Sequence, residues 1–259
     1  MKSEKSPNTK KPIMFRFVKF LVRVFYPKTE VLGVDNISSE PVIIVGNHTQ
    51  MNGPIVGEMF FDDNVYTWCA SQMMKFKEVP VYAYKDFWSS KPKTVRWFYK
   101  LLSYIIAPIS VLIFNNARTI PVYRDKRLIT TFRKTVEKLQ QNNSVIIFPE
   151  CDKKHNNIVN EFQDKFIDIA RFYHKRTGKE LLFVPLYIAP SLKKAVLGKP
   201  IRYDANMPIE NQRKIITEYL MNEITSIAVS LPRHTVVPYL NMPKKYYPQN
   251  TLQGDSENA

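Results

Sequence analysis

The sequence predicts an α/β fold, in which one mostly parallel β-sheet is flanked by helices. Four apolar runs have the length of buried strands, and they cover residues 41–46, 119–124, 144–150 and 181–190. Helical periodicity fills most of the gaps between them, as the crossover connections of a parallel sheet require. The chain has 259 residues and is 44% apolar, which is enough for one domain with its own core.

Apolar stripes at helical spacing predict the helices between these strands. One helix covers about 125–141, a second covers about 161–175 with Gly178 as its stop, and a third follows Pro208. The stripes consist of Leu128, Phe132, Val136 and Leu139 in the first helix, Phe162, Phe166, Ile169 and Tyr173 in the second, and Ile216, Leu220, Ile224 and Ile227 in the third. In such a fold, ligands bind at the carboxyl ends of the strands.

Residues 1–29 are expected to form a segment with a basic amphipathic helix. Arg16, Lys19 and Arg23 lie on one narrow stripe of an otherwise apolar helix, which suits the interface of an anionic membrane. A core helix with three snorkelling cations would have the same pattern. Residues 30–243 are assigned to the main domain, and residues 244–259 are predicted to be a polar, frayed tail.

A second candidate for membrane contact is the apolar run 97–114. Lys100 and Pro108 interrupt it, and a single span needs about 20 mostly apolar residues without such breaks. An interfacial or re-entrant hairpin, or a buried helix pair, is therefore expected here.

The charge of the chain points to anionic partners. The formal net charge is +15 and the sequence pI is about 9.6, which favours phosphate esters, an acidic carrier protein, nucleic acid or lipid headgroups. The two cysteines, Cys69 and Cys151, predict no disulfide framework, and a reducing interior is the expected location. No histidine or cysteine spacing indicates a metal site.

The ends of the four predicted strands carry unusual residues. These are Asn47-His48, Arg124, Phe148-Pro149-Glu150 and Val184-Pro185-Leu186. In this order on these elements, over residues 30–190, they resemble the blocks of the glycerolipid acyltransferase family, which includes the 1-acylglycerol-3-phosphate acyltransferases. Single blocks are common by chance, but four in order form a more specific signal.

The resemblance implies a glycerol-3-phosphate acyltransferase-like fold and transfer of a fatty acyl group to a lysophospholipid. The donor would be acyl-coenzyme A or acyl-carrier protein, and no further cofactor is implied. His48 would be the general base, without a covalent acyl-enzyme, because neutral imidazole accepts a proton near neutral pH. The acceptor's phosphate would be held by Arg124 and the other cations of the second and third blocks, named below, and Asn47 is assigned to substrate binding. Glu150 is assigned to the catalytic group, with the task of orienting a cation or a loop backbone. The protein would work at the cytoplasmic face of a membrane, as a peripheral protein.

Three departures from the family pattern bear on activity. Gly53 stands where the family has an aspartate that orients the histidine, and loss of such a group in serine proteases costs about 10⁴ in turnover. The candidates to replace this aspartate are Asn52, Glu58, Asp62, Asp63 and a backbone carbonyl. Arg118 replaces the glycine of the second block and adds a cation near the phosphate. In the third block, Cys151, Asp152 and Lys153 replace glycine, threonine and arginine, and lysine keeps the charge without the bidentate geometry.

Three alternatives to an ordinary acyltransferase remain. The first is a catalytically weakened member that binds acyl lipids or phospholipid headgroups. The second is a nucleophilic thiol at Cys151 paired with His48, for which Lys153 and Lys154 would supply the cationic neighbours. The third is a nucleic-acid-binding protein, although the aromatic residues lie in apolar runs and no recognition motif is present. A helix starting at Gly53-Pro54 is also expected to direct its first amides at a phosphate or an oxyanion.

Overall fold

The computed structural model describes residues 11–37, 39–89 and 91–252. Its helices are α1 Ile13–Phe25, α2 Asn52–Met59, α3 Val79–Ala83, α4 Arg96–Asn116, α5 Leu128–Gln140, α6 Asp168–Thr177 and α7 Ile209–Ser230. Its strands are β1 Glu30–Leu32, β2 Val42–Gly46, β3 Val65–Ala70, β4 Thr119–Val122, β5 Ser144–Ile147, β6 Glu150–Lys154, β7 Asn160–Phe162, β8 Leu182–Ala189, β9 Lys194–Leu197 and β10 Ile201–Arg202.

The main sheet has the strand order β1-β9-β8-β2-β5-β3-β4, with β10 paired to β8. Strands β8, β2, β5, β3 and β4 run parallel to one another, whereas β9 and β10 are antiparallel to β8. A separate antiparallel pair is formed by β6 and β7. The predicted α/β fold with a mostly parallel sheet is confirmed, and the carboxyl ends of five strands meet at one edge.

Both faces of the sheet are covered, which explains why the central strands are apolar throughout. All residues of β2, β5 and β8 are buried. One face packs against α5, α6 and α7 through Phe132, Val136, Ile169, Ile216 and Leu220. The other face packs against Val56 of α2 and the aromatic residues that flank it.

The predicted helices 125–141 and 208 onward are confirmed as α5 and α7, and Gly178 ends α6 in the left-handed region with φ 71°. The prediction of one helix over 161–175 is wrong at its start. Residues 160–162 pair with β6 as β7, and a 3-10 turn precedes α6 at Asp168. Tertiary pairing with the neighbouring strand overrides the helical stripe here.

Residues 71–89 and 91–116 form a helical insertion between β3 and β4. Within it α4 is one continuous helix, so the predicted hairpin, interfacial or re-entrant, and the predicted buried helix pair are both wrong. Pro108 lies on the exposed side, where the carbonyl that it leaves without a partner does not have to be buried. By length and composition the helix over Lys93–Asn116 could cross a membrane, and little of it is buried.

The N-terminal helix α1 packs against α4 and buries Phe15, which is 3% exposed. Lys19 forms a 2.7 Å ion pair with Glu58 of α2, so this member of the predicted basic stripe faces the protein. The outward face of α1 is instead apolar, with Phe17 54% and Val24 56% exposed. The expectation that the whole basic stripe would face lipid is therefore wrong, although Arg16 and Arg23 remain exposed beside the apolar face.

The predicted frayed tail does not include residues 244–252. Asn250 is 4% exposed, accepts a 2.8 Å hydrogen bond from the His234 backbone and donates one to the Ala228 carbonyl. Residues 253–259 and residues 1–10, where the other frayed end was predicted, lie outside the described residues.

Candidate active site

The loop after β2 is anchored to the neighbouring strand by Asn47. Its side-chain amide donates a 3.1 Å hydrogen bond to the Ile188 carbonyl and accepts a 2.7 Å bond from the Ile188 N–H. These two hydrogen bonds continue the pairing of β2 with β8 beyond the last backbone pair, through the side chain of Asn47. Asn47 is 1% exposed. The predicted substrate-binding role of Asn47 is wrong, because the amide is already occupied by the backbone. Its effect is to fix the point where His48 leaves the sheet.

Glu150 fixes the next residue of the same loop. One carboxylate oxygen accepts a 2.6 Å hydrogen bond from the His48 backbone N–H, and the other accepts a 2.8 Å bond from the Asn160 N–H. Burial raises the pKa of Glu150 from 4.5 to about 7, although both N–H donors act in the opposite direction. Glu150 therefore orients a loop backbone, which was one of its two expected tasks. It is a positioning residue and not a group that touches reacting atoms.

The loop turns sharply after the histidine. Thr49 and Gln50 have φ angles of 45° and 55°, in the left-handed region that L-residues other than glycine rarely occupy. Such backbone strain persists only where surrounding contacts impose it, and it is concentrated at functional sites. Here the contacts include Asn52, whose amide donates a 2.9 Å hydrogen bond to the Thr49 carbonyl.

The imidazole ring of His48 lies between two aromatic edges. The ring centroids of Phe148 and Tyr239 are 5.5 and 5.6 Å from its own, both in edge-on arrangements. Nδ1 is buried and has no hydrogen-bond partner among the described residues, while the residue as a whole is partly exposed. Burial lowers the pKa of His48 from 6.5 to about 4, so the ring is neutral at physiological pH.

Arg124 follows β4, three strand spacings or about 14 Å from β2 across the sheet. Its guanidinium is exposed and lies near the Tyr239 hydroxyl, where it acts to lower the pKa of that phenol. The expected alternative, an ion pair with Asp125 or Glu137, is not formed, because Asp125 binds Arg127 and Glu137 faces Arg133. Tyr239 thus has Arg124 and His48 as neighbours.

Two acids lie in the surroundings of Arg124. Burial raises the pKa of Asp86 above its ordinary value, Arg124 partly offsets this, and the charge of Asp152 adds to it. Burial likewise raises the pKa of the Tyr239 phenol, with Arg124 acting against it. A positive group with two nearby carboxylates can hold a phosphate, but with less net attraction than an isolated arginine.

Comparison with known proteins identifies the family. The model of the acyltransferase family, described as Acyltransferase, matches residues 28–189, which is more than half of the chain. The chain belongs to the acyltransferase family. It is also similar to the crystal structure of the 1-acyl-sn-glycerophosphate (LPA) acyltransferase PlsC from Thermotoga maritima, with a TM-score of 0.47, 16% identity, and coverage of 84% of this chain and 81% of that chain. No curated protein gives a significant match.

No candidate replacement for the family's aspartate contacts Nδ1 of His48 in this acyltransferase, as far as the described residues go. The Asn52 amide oxygen accepts a 2.8 Å hydrogen bond from the Tyr26 hydroxyl, so it is occupied. Glu58 lies toward the other end of α2 and binds Lys19 and Arg118. Asp62 and Asp63 follow that same end, where Arg118 binds the Asp62 carbonyl and the Asp63 carboxylate. The predictions for Asn52 and Glu58 are therefore wrong.

The space that an aspartate would need at position 53 is filled. A Cβ atom on Gly53 would lie 2.5 Å from the His48 carbonyl oxygen and 2.9 Å from the ring of Phe148. The first distance involves backbone, which cannot yield as a flexible side chain would. Position 53 therefore has neither an acid nor room for an acidic side chain.

The first turn of α2 also offers fewer free donors than expected. The Asn52 N–H donates to the Thr49 carbonyl at 3.1 Å, and Pro54 has no N–H. Two of the first three backbone positions of the helix are therefore unable to hold a phosphate or an oxyanion.

Arg118 lies at the wrong edge of the sheet for the predicted contact with the substrate. It precedes β4, whereas His48 and Arg124 follow their strands, and the strands are parallel. It is 8% exposed and its guanidinium donates to the Glu58 carbonyl at 2.6 Å. Arg118 joins α2 to β4, and its assignment to substrate binding is wrong.

The remaining third-block residues lie on the β6–β7 hairpin. Lys153 forms a 2.7 Å ion pair with Glu161 and is 73% exposed, so its predicted substrate contact stays a prediction. Cys151 follows Glu150 on β6, and its carbonyl accepts a 2.7 Å hydrogen bond from the Asn160 amide. The pairing of its thiol with His48 stays a prediction.

Three residues of the site were missed by sequence reasoning. Tyr239 contacts His48, and Leu240 and Tyr247 both contact Gln50. All lie outside residues 30–190, where the motif signal ends. The one local signal is Pro238, Pro243 and Pro248, which favour an extended, ordered segment over a free tail.

Proposed function

We propose that this acyltransferase moves a fatty acyl group from acyl-coenzyme A or acyl-carrier protein to a lysophospholipid such as 1-acylglycerol 3-phosphate. The observation that supports it best is the fixed position of His48 at the carboxyl edge of the sheet, with Arg124 following β4 at the same edge. A neutral imidazole and a guanidinium at this separation suit an acceptor that carries a hydroxyl and a phosphate.

In the proposed reaction, His48 takes the proton of the acceptor hydroxyl as its oxygen attacks the thioester carbonyl. A C–O bond forms, and the tetrahedral intermediate then breaks its C–S bond. The thiolate leaves and takes the proton back from the imidazolium, so no acyl-enzyme is formed. Nε2 acts as the base in this scheme, because Nδ1 is buried.

A membrane surface is the proposed place of this reaction, because its acceptors reside in bilayers. Neighbouring helices α1 and α4 expose large apolar side chains, namely Ile13, Phe17, Phe20 and Val24 in α1 and Trp97, Leu101, Tyr104 and Ile105 in α4. Arg16 and Arg23 border the apolar face of α1 and can contact anionic headgroups. We assign this surface to peripheral binding at the cytoplasmic face.

The direct test is an acyl-transfer assay with the full chain on vesicles containing lysophosphatidic acid. Acyl-coenzyme A of several chain lengths and an acyl-carrier protein serve as donors in separate reactions. Formation of phosphatidic acid with any donor supports the proposal. Binding to these vesicles with no product from lysophosphatidic acid or from a panel of other lysophospholipids would contradict it.

A second candidate function is lipid binding by a catalytically weakened member of the family. The observation that favours it is the unpartnered Nδ1 of His48. A buried N–H without an acceptor is costly, so the proton of neutral His48 is favoured on Nε2, the nitrogen that must accept a proton in the reaction. A pKa of about 4 further weakens the base.

Vesicle binding separates these two functions. For a lipid-binding protein, Arg124→Ala should lower the affinity for vesicles with lysophosphatidic acid relative to vesicles without it, and His48→Ala should not. The amount of product formed by the wild type should then equal that formed by His48→Ala with every donor. Turnover well above that background would exclude this second function.

A further inference from the structure

The C-terminal segment, residues 232–252, forms a loop that is closed at its base; we refer to it as the C-terminal strap. Thr235 pairs with Gln249 in an isolated antiparallel bridge, and the Val236 N–H donates to the Pro248 carbonyl at 2.9 Å. His234 anchors one leg, because its Nε2 is 2.7 Å from the buried hydroxyl of Tyr187 in β8. The strap is therefore tied to the core of the sheet.

The tip of the C-terminal strap contacts both sides of the candidate active site. The Gln50 amide, in the strained loop after His48, donates to the Leu240 carbonyl at 3.4 Å and to the Tyr247 hydroxyl at 3.1 Å. The Asn241 amide donates a 2.8 Å hydrogen bond to the Asp86 carbonyl in the helical insertion. The strap thus bridges the His48 loop and the insertion.

Tyr239 lies between these two attachments. Its ring lies edge-on to the His48 imidazole with the ring centroids 5.6 Å apart, and its hydroxyl lies near the Arg124 guanidinium, which acts to lower the pKa of the phenol. These partners follow strands β2 and β4, which are not neighbours in the sheet. One partly buried side chain therefore spans the distance between the candidate base and the candidate phosphate ligand.

We propose that Tyr239 positions both groups, so that the C-terminal strap completes the site of acyl transfer. The inference rests on the proposed function. The Nδ1 atom of His48 has no hydrogen-bond partner among the described residues, and the ring is flanked by the edges of Phe148 and Tyr239. The guanidinium of Arg124 has several rotamers available, and the tyrosine hydroxyl near it favours one of them.

Kinetics of two Tyr239 variants separate the two contacts. Tyr239→Phe keeps the ring and removes the hydroxyl near Arg124, so the KM for lysophosphatidic acid should rise about tenfold with kcat and the KM for the thioester unchanged. Tyr239→Ala also removes the ring, so kcat should fall by about tenfold in addition. Tyr246→Ala, an exposed tyrosine of the strap, is the matched control and should change neither constant.

The titration of His48, followed by NMR, gives a readout that does not need turnover. The groups nearest to the ring from the elements around it are Glu150 from β6, Phe148 after β5, and Tyr239 from the strap, with Arg124 behind Tyr239. Tyr239→Ala opens the imidazole ring to water, so the midpoint of the His48 titration should move upward, toward 6.5. The midpoint should be unchanged in Tyr239→Phe and Tyr246→Ala.

The outcomes separate the inference from the proposed function. A Tyr239→Phe enzyme with the wild-type KM would overturn the contact with Arg124. A Tyr239→Ala protein that remains folded, with the wild-type His48 midpoint, would overturn the contact with the imidazole. If the wild type makes no product at all, the proposed function fails, and the titration still decides whether Tyr239 holds the ring.

Discussion

The Glu150 carboxylate accepts a 2.6 Å hydrogen bond from the His48 backbone N–H. The side chain of the third motif block therefore holds the main chain of the first, across the boundary between neighbouring strands β2 and β5. This contact explains why a glutamate can stand next to the proposed phosphate site: both of its oxygens accept hydrogen bonds from backbone N–H groups.

Replacing Glu150 by glutamine should destabilise the protein. A carboxyl group can accept from both the His48 and the Asn160 N–H, whereas a glutamine amide has only one acceptor oxygen. One buried N–H then loses its partner, which lowers the free energy of unfolding by about 1–3 kcal/mol. Chemical denaturation at pH 5 measures this, with Glu161→Gln as the control, because Glu161 pairs with an exposed lysine. Equal stability of Glu150→Gln and wild type at pH 5 would contradict the role of Glu150.

The stability difference should also depend on pH. The pKa of Glu150 is about 7 when folded, above its ordinary value of 4.5, because burial disfavours the charged form. Its contribution to stability is therefore complete below about pH 4.5 and is lost as the pH rises through about 7. We expect the free energies of unfolding of wild type and Glu150→Gln to converge between pH 5 and pH 8. A difference between the two free energies of unfolding that grows with pH would contradict this prediction.

The acid limb of the pH–rate profile reports the pKa of the general base. The pKa of His48 is lowered to about 4 by burial, so the imidazole loses its reactive neutral form only when the pH falls through about 4. The kcat/KM for acyl transfer should then stay level from pH 7 down to about pH 5. An exposed histidine would give an acid limb near 6.5, and that result would show that His48 is open to water.

Placing the family's aspartate at position 53 should not increase the rate of acyl transfer. The new Cβ atom would meet the His48 carbonyl at 2.5 Å and the Phe148 ring at 2.9 Å, so Gly53→Asp should cost about 1–3 kcal/mol of stability through overpacking. Gly53→Ala, which adds the Cβ without the acid, is the matched control and should be destabilised as well. Thermal melting and the initial rate measure the two effects. A rate for Gly53→Asp several times that of wild type would mean that the loop has room for the acid.

Membrane binding should depend on the apolar face of α1. Phe17 is 54% exposed, and burying such a side chain in a bilayer contributes about 1.5–3 kcal/mol. Phe17→Asp should therefore weaken sedimentation with anionic vesicles at least tenfold. Ile215→Asp, on the exposed side of α7, is the control and should bind as wild type does. Unchanged sedimentation of Phe17→Asp would exclude α1 from the interface.

Much of the fold could be predicted from the sequence, because the spacing of the apolar residues matches the faces that are buried in the structure. Strands β2 and β8 are apolar throughout, and the stripe at Phe132, Val136 and Leu139 marks α5. Where β7 lies, the sequence pattern predicts the start of a helix, because a three-residue strand has no period of its own and forms only by pairing with β6.

Of the candidate site, only residues within the motif blocks could be predicted from the sequence. His48 and Arg124 could be placed by strand ends, since parallel strands bring their carboxyl ends together. Arg118 was misplaced because its neighbour in sequence, β4, carries it to the opposite edge. Tyr239 reaches His48 through a long-range contact of the C-terminal strap, and no local pattern specifies such a contact.

His48→Ala tests the central claim most directly. Initial rates of acyl transfer to lysophosphatidic acid in vesicles are compared for wild type, His48→Ala and His155→Ala, an exposed histidine on the chain that follows β6. We predict that product falls to background in His48→Ala, that His155→Ala matches wild type, and that all three proteins bind the vesicles equally. A His48→Ala protein that forms product at the wild-type rate would show that His48 is not the base.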